Sequence, residues 1–259
     1  MNKFFIVSIG ASLAIASSAS AQAQAQAQIC DNAQTKLEIF LSPEDISDIE
    51  SVLTGEVLKS AQGNESFGQH LPPEISWEYR RLDGKIDQKL GAVYAVTFDN
   101  KATKENWYWY FVEEKNECKI SAIRKLALPG LIYAMRDQLT KSPNLTPIDE
   151  QTLKNLNLIT RPDHELKDHL ISNIDAFNKL VENAKTDIAQ AQSIAKSMNL
   201  NYIDLDIETG NVDVNIGGIT DNSVGYFKAP HPSSVPAMSP DSYIYVEHII
   251  DDWYIYKTT

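Results

Sequence analysis

Two imidazoles and two carboxylates fall within six residues at His164-Glu165-Leu166-Lys167-Asp168-His169. A zinc-protease helix sets its two histidines four residues apart, about 40° around the axis, so that both reach one ion. Here the spacing is five, which turns the rings about 140° apart. A solvated first helical turn, with acids suited to a helix N-terminus, is the expected reading. Asp204-Leu205-Asp206-Ile207-Glu208-Thr209-Gly210 has the acidity of a calcium loop. That motif needs glycine sixth and glutamate twelfth, whereas glycine is seventh here and the twelfth residue is Asn215. The alternation of acids with Leu205 and Ile207 predicts a strand with its carboxylates on one face. Asn64-Glu65-Ser66-Phe67-Gly68 lacks the first glycine of a nucleophile elbow and follows a helical pattern rather than a strand. No glycine-rich phosphate loop is present. Catalytic residue, metal and cofactor are therefore all left unassigned.

His248 has Glu247, Asp251 and Asp252 beside it. Strand alternation places it with Ile244, Val246 and Ile250, as a hydrogen-bonded core histidine. A hydrolase or isomerase using His248 or His164 with nearby carboxylates is the enzymatic alternative. His70 and His231 sit in proline-bearing loops, where nothing in the sequence positions them. The aromatic residues carry more. Trp107, Trp109 and Phe111 share one strand face, Tyr108 and Tyr110 the other, and Tyr243, Tyr245, Trp253, Tyr254 and Tyr256 crowd the C-terminal strands. Such surfaces hold apolar ligands or stack on sugars, although packing under a helix accounts for them equally well. Trp107, Trp109, His248, Tyr243 and Tyr245 are the candidate ligand-binding residues.

Compartment follows from the N-terminus. Lys3 precedes an apolar run, Phe4–Ala16, and two small-residue sites, Ala19-Ser20-Ala21 and Ala21-Gln22-Ala23. This is the pattern of a cleaved export signal over residues 1–23, too short for a bilayer span of about 20 residues. A periplasmic or secreted protein of a bacterial envelope, cleaved near Ala21 or Ala23, is expected. In an oxidising compartment the two cysteines, Cys30 and Cys118, are expected to pair. The residues before Cys30 do not match a lipid-attachment site.

The elements that must position these groups are read from periodicity. Residues 24–35 form a flexible leader. An N-terminal unit over 36–141 begins with a strand at 36–41 and a helix capped by Ser42 that reaches about Ser60. Strands at 74–82, 90–98, 106–113 and 117–126 follow, with a helix at 130–140. Residues 142–147 are a linker. A C-terminal unit over 148–259 opens with a short helix begun by Thr146 and Pro147. One long helix around 162–198 comes next, capped by Thr160 with Asp163 at its third position. Its apolar seam runs from Ile174 to Met198. A break near Lys185–Asp187 would shorten it. The seam predicts packing on a sheet or, as the alternative, pairing with a second copy. Strands at 202–208, 212–216, 223–227, 242–250 and 253–258 complete the chain.

Helices followed by meandering strands, twice over, predict an α+β fold of two helix-plus-antiparallel-sheet units. The layout resembles the cystatin-like and NTF2-like architectures, by analogy of arrangement alone.

Charge narrows the partners. Without Lys3, 22 basic residues face 35 acidic ones. Residues 199–259 hold only two basic residues, Lys228 and Lys257, against nine acidic ones. Nucleic acid and anionic lipid are disfavoured, and a cationic protein is favoured. A non-enzymatic binding protein for a protein, peptide or small apolar ligand is the reading that results. An acidic inhibitor or immunity-type protein against a basic envelope enzyme is the alternative.

Overall fold

The computed structural model describes residues 30–63, 71–101 and 103–259. The expected export signal and cleavage sites, the Asn64–Gly68 stretch and His70 lie outside the described residues.

The fold is α+β, with two antiparallel sheets. The first half opens with a helix, α1 (Ala33–Leu41), where a leader and then a strand were expected. Leu37, Phe40 and Leu41 are buried while Ile39 is exposed, which is helical and not alternating spacing. Ser42 ends α1 in an extended conformation, as fits a residue followed by proline. The helix expected from Ser42 to Ser60 is absent for tertiary reasons. Residues 52–54 are instead drawn alongside the sheet, where Leu53 bridges Ile120 and the Thr54 N–H donates to the Ile120 carbonyl (2.9 Å). A short 3-10 turn (Ile49–Ser51) and α2 (Gly55–Gln62) flank that crossing. Gly55 makes the corner with φ +61°, a conformation that glycine adopts at little steric cost.

The first sheet is a four-stranded meander of β1 (Ser76–Arg81), β2 (Ala92–Asp99), β3 (Lys104–Glu114) and β4 (Glu117–Lys125), in that spatial order. Both faces of β3 are covered. Trp109 and Phe111 face the core beneath α1 and α2, whereas Tyr108 and Tyr110 enter a second, larger core.

That larger core is closed by helices α4 (Pro147–Ile159), α5 (Asp163–Ser172), α6 (Ile174–Thr186) and α7 (Ile188–Ser197), and by the second sheet, while α3 (Gly130–Lys141) packs outside it against α4. The sheet holds β5 (Tyr202–Leu205), β6 (Val212–Ile219), β7 (Asn222–Lys228), β8 (Tyr243–Ile250) and β9 (Trp253–Thr258), in the order β5-β6-β7-β9-β8. The two sheets meet where the Tyr108 ring stacks on Tyr245, with centroids 4.8 Å apart.

The single long helix expected over 162–198 is three helices. Asn173 interrupts it between α5 and α6, and Asp187 between α6 and α7. Asp187 accepts the Gln190 N–H (3.0 Å) and so starts α7 itself. Its seam stays inside the chain: Phe177, Val181, Ala184, Ala191 and Ala195 are buried, and Ile188 is exposed at the break. Thr146 caps α4 as expected, through a capping box with Asp149. No helix among the described residues is long and apolar enough to cross a membrane.

Candidate functional site

Cys30 and Cys118 form a disulfide with Cα atoms 5.3 Å apart, and neither is free. It ties the chain ahead of α1 to β4. Asn32 reinforces the join by accepting the Cys118 N–H (3.2 Å). A Cβ at Gly91 would collide with the Cys30 sulfur, so the end of the loop before β2 has room for glycine alone. A disulfide fits an oxidising compartment.

The described histidines do not assemble into a site. His164 is exposed on α5. His169 packs edge-on against Phe177, at 5.9 Å between centroids. Burial, with Arg161 nearby, lowers its pKa. His248 is exposed, not a core residue, and its Nε2 meets the Asp251 carbonyl at 2.6 Å. Its register with β9 is unbroken from Tyr245 to His248, so it keeps the face of buried Val246, but that face is open to solvent by His248. The acidic stretch also departs from expectation, since β5 stops at Leu205. Asp206 accepts the Glu208 and Thr209 N–H groups at 2.9 and 3.3 Å and folds the chain into a turn. Ile207 is left 90% exposed. Among the described residues, no group of three or more His, Cys, Asp and Glu is placed to hold a metal ion.

The candidate aromatic residues separate. Tyr245 is fully buried between the sheets, and Tyr243 leans edge-on against Tyr256 at 5.8 Å. His248 borders a cleft of about 440 Å³ with Arg80, Asp83 and Glu247. Trp107 and Trp109 stay together and line an apolar cleft of about 490 Å³ between α1 and the first sheet. Four elements build this cleft: Phe40 comes from α1, Phe98 from β2, both tryptophans from β3 and Ile123 from β4. Phe40 meets Trp109 edge-to-face at 4.9 Å, and Phe98 meets Trp107 at 5.8 Å. Alternate positions on β3 place both indoles on this side, and their neighbours fix the ring planes.

The two indole N–H groups differ. Trp107 Nε1 donates to Glu105 at 3.2 Å, and the same carboxylate binds the Lys125 ammonium at 2.9 Å. That ammonium lies 4.6 Å from the Trp107 ring centroid, within cation–π range. Trp109 is 2% exposed, and its Nε1 is buried with no hydrogen-bond partner among the described residues. A buried donor left unpaired costs about 1–3 kcal/mol.

A larger and more polar cleft, of about 800 Å³, shares Thr103 and Glu105 with the aromatic one. Lys257 lines it from β9 and is almost wholly buried. Its ammonium pairs with Asp163 at 2.6 Å, and the Tyr108 hydroxyl donates to the same carboxylate at 2.9 and 3.0 Å. Asp163 thus serves this buried network instead of the Thr160 cap assigned to it, and Thr160 bonds back to the Leu156 carbonyl (2.9 Å). Burial first, then the Asp163 charge, drives the Tyr108 pKa well up. Sequence reasoning missed this network. Its ion-pair partners are 94 residues apart, and the only local signal is a lysine inside the otherwise apolar strand Trp253–Thr258.

Asp213 was also missed as an individual group. It is largely buried on the outer face of the second sheet, with one oxygen unpartnered. Burial pushes its pKa up to about 6, against the pull of the Tyr256 and Tyr202 hydroxyls.

Comparison with protein-family models, with curated proteins and with solved structures gives no match.

Proposed function

We propose that this is an exported, non-catalytic binding protein of the bacterial envelope, whose aromatic cleft takes a small apolar ligand bearing one hydrogen-bond acceptor. The apolar cleft lined by Trp109 carries this reading, and the indole N–H, unpaired among the described residues and shut off from solvent, is a donor that a ligand acceptor satisfies once the ring turns toward it. Ligand sites are concave, mostly apolar and few-donored, with volumes of about 300–1,000 Å³, and the cleft fits that description. The disulfide supports export, and it fastens the chain at the start of α1, which supplies Phe40. An enzymatic reading through His248 has less support. Its neighbour Glu247 is already bound by Arg80 (2.8 Å) and Lys167 (3.2 Å), so that carboxylate is not waiting for a substrate.

The test uses the neutral fluorescent probe N-phenyl-1-naphthylamine, displaced by 2-nonanone or by nonane. Saturable probe binding and displacement by the ketone ahead of the alkane are expected. Trp109→Phe keeps an aromatic ring and removes the N–H. It should weaken the ketone about tenfold, in the range of one lost hydrogen bond to a buried donor, and leave nonane unchanged. Absence of saturable probe binding, or ketone affinity untouched in Trp109→Phe, overturns the proposal.

A further inference from the structure

We infer that the polar cleft of about 800 Å³ is a second binding site, for a small multivalent oxyanion. Its cationic lining lies outside the aromatic cleft, although the two share Thr103 and Glu105. Six cationic side chains line this cleft: Lys101, Lys104, Lys125, Arg136, Arg161 and Lys257. They gather in a chain whose net charge is −12. Three acids share the lining, and each is already matched to one of those cations. Asp99 sits 3.4 Å from Lys104, Glu105 lies 2.9 Å from Lys125, and Glu165 is 3.8 Å from Arg161. These pairs are all partly exposed, so they hold weakly and exchange partners at little cost.

Of the other three cations Lys101 supplies the unmatched charge, because Arg136 lies 3.1 Å from Asp137 and Lys257 lies 2.6 Å from Asp163. Lys101 has no ion pair among the described residues. Arg136 is oriented by Thr160, whose Oγ1 accepts from its guanidinium at 3.1 Å, and its carboxylate neighbour, Asp137, lies outside the lining. Lys257 is fixed from below by Asp163. A fork-shaped guanidinium beside lysine point charges is the donor set that oxyanions select. Ser76, Thr103 and Asn157 add neutral polar groups to the wall.

The size of the partner follows from screening. At physiological ionic strength charges interact over about 8 Å. A small anion inside the cleft therefore responds to the lining, whereas a long polyanion also meets the acidic exterior and is repelled. Phosphate and carboxylate ligands share the chemistry in question, and the assay separates them.

Isothermal titration of the full mature chain with inorganic pyrophosphate and with citrate, each at about 0.02 M and about 0.15 M salt, tests the inference. Saturable binding of at least one anion, weaker at the higher salt, is expected, and the better ligand identifies the phosphate or carboxylate class. The double variant Lys101→Gln/Arg136→Gln should bind about tenfold more weakly, as charge-assisted contacts are lost. The charge-matched variant Lys59→Gln/Lys89→Gln, made on exposed lysines outside the cleft, should bind as the parent does. Tryptophan emission should change on binding, because an anion that draws Lys125 from Glu105 also moves it from the Trp107 ring. No heat with either anion up to about 10 mM, or equal weakening in both double variants, overturns the inference. Thermal unfolding of both variants establishes that they are folded.

Discussion

Asp213 is the residue whose environment most opposes its usual charge. In the unfolded chain its carboxyl titrates near the ordinary value of about 3.9, and in the fold burial raises it to about 6. The folded state therefore holds a proton more tightly than the unfolded state between those values. Its stabilising contribution is complete below about pH 4 and is lost as pH rises through about 6. Asp213→Asn removes the ionisation. The variant should exceed the parent by about 1–3 kcal/mol at pH 7.5 and converge with it near pH 4. Denaturant midpoints at the two pH values measure the difference, and a constant gap would contradict the assignment. His169 has the opposite tendency, because burial disfavours its imidazolium and acidification below its ordinary pKa costs stability.

Among the elements, the breaks in the 163–197 helical region matter most for packing. Asp187 begins α7 by capping it, and Asp187→Ala should cost about 1 kcal/mol in equilibrium unfolding. A change near zero would mean that tertiary packing alone sets the break. This region also shows what local sequence can convey. The apolar seam was legible, and so were most strand positions, because alternation and helical spacing are written in neighbouring residues. The interruption at Asn173 was not, since nothing adjacent to it signals where the core demands a bend. The same limit applies to α1. Lys36–Leu41 reads equally as strand or helix over so short an apolar run, and only contact with the first sheet decides it. Phe40 was therefore missing from the expected site, while Trp107 and Trp109 were found by their alternation on β3. His248 was misplaced because alternation tells which face a residue takes and not how far along the strand that face stays covered.

At the scale of the molecule, the disulfide spans 88 positions and holds the first core shut from one end. Chain-entropy reasoning gives such a cross-link about 4–5 kcal/mol. Cys30→Ala/Cys118→Ala should lower stability by up to that amount, and the tryptophans beneath α1 should report the loss in their emission. Reduction of the native protein should act in the same direction. If neither alters the unfolding midpoint, the staple has no energetic role. The charge distribution belongs to this scale as well. It was legible as a total, but the cationic cleft was not, because its lining comes from both sheets and from the helices between them.

Strand β3 is a partition wall with indoles on one side and phenols on the other. Deleting or inserting a single residue in its centre would swap the two rooms, sending Trp109 among the tyrosines and Tyr108 towards the disulfide. Any redesign of either compartment therefore has to leave the parity of this strand alone and work from its ends or from the surrounding helices.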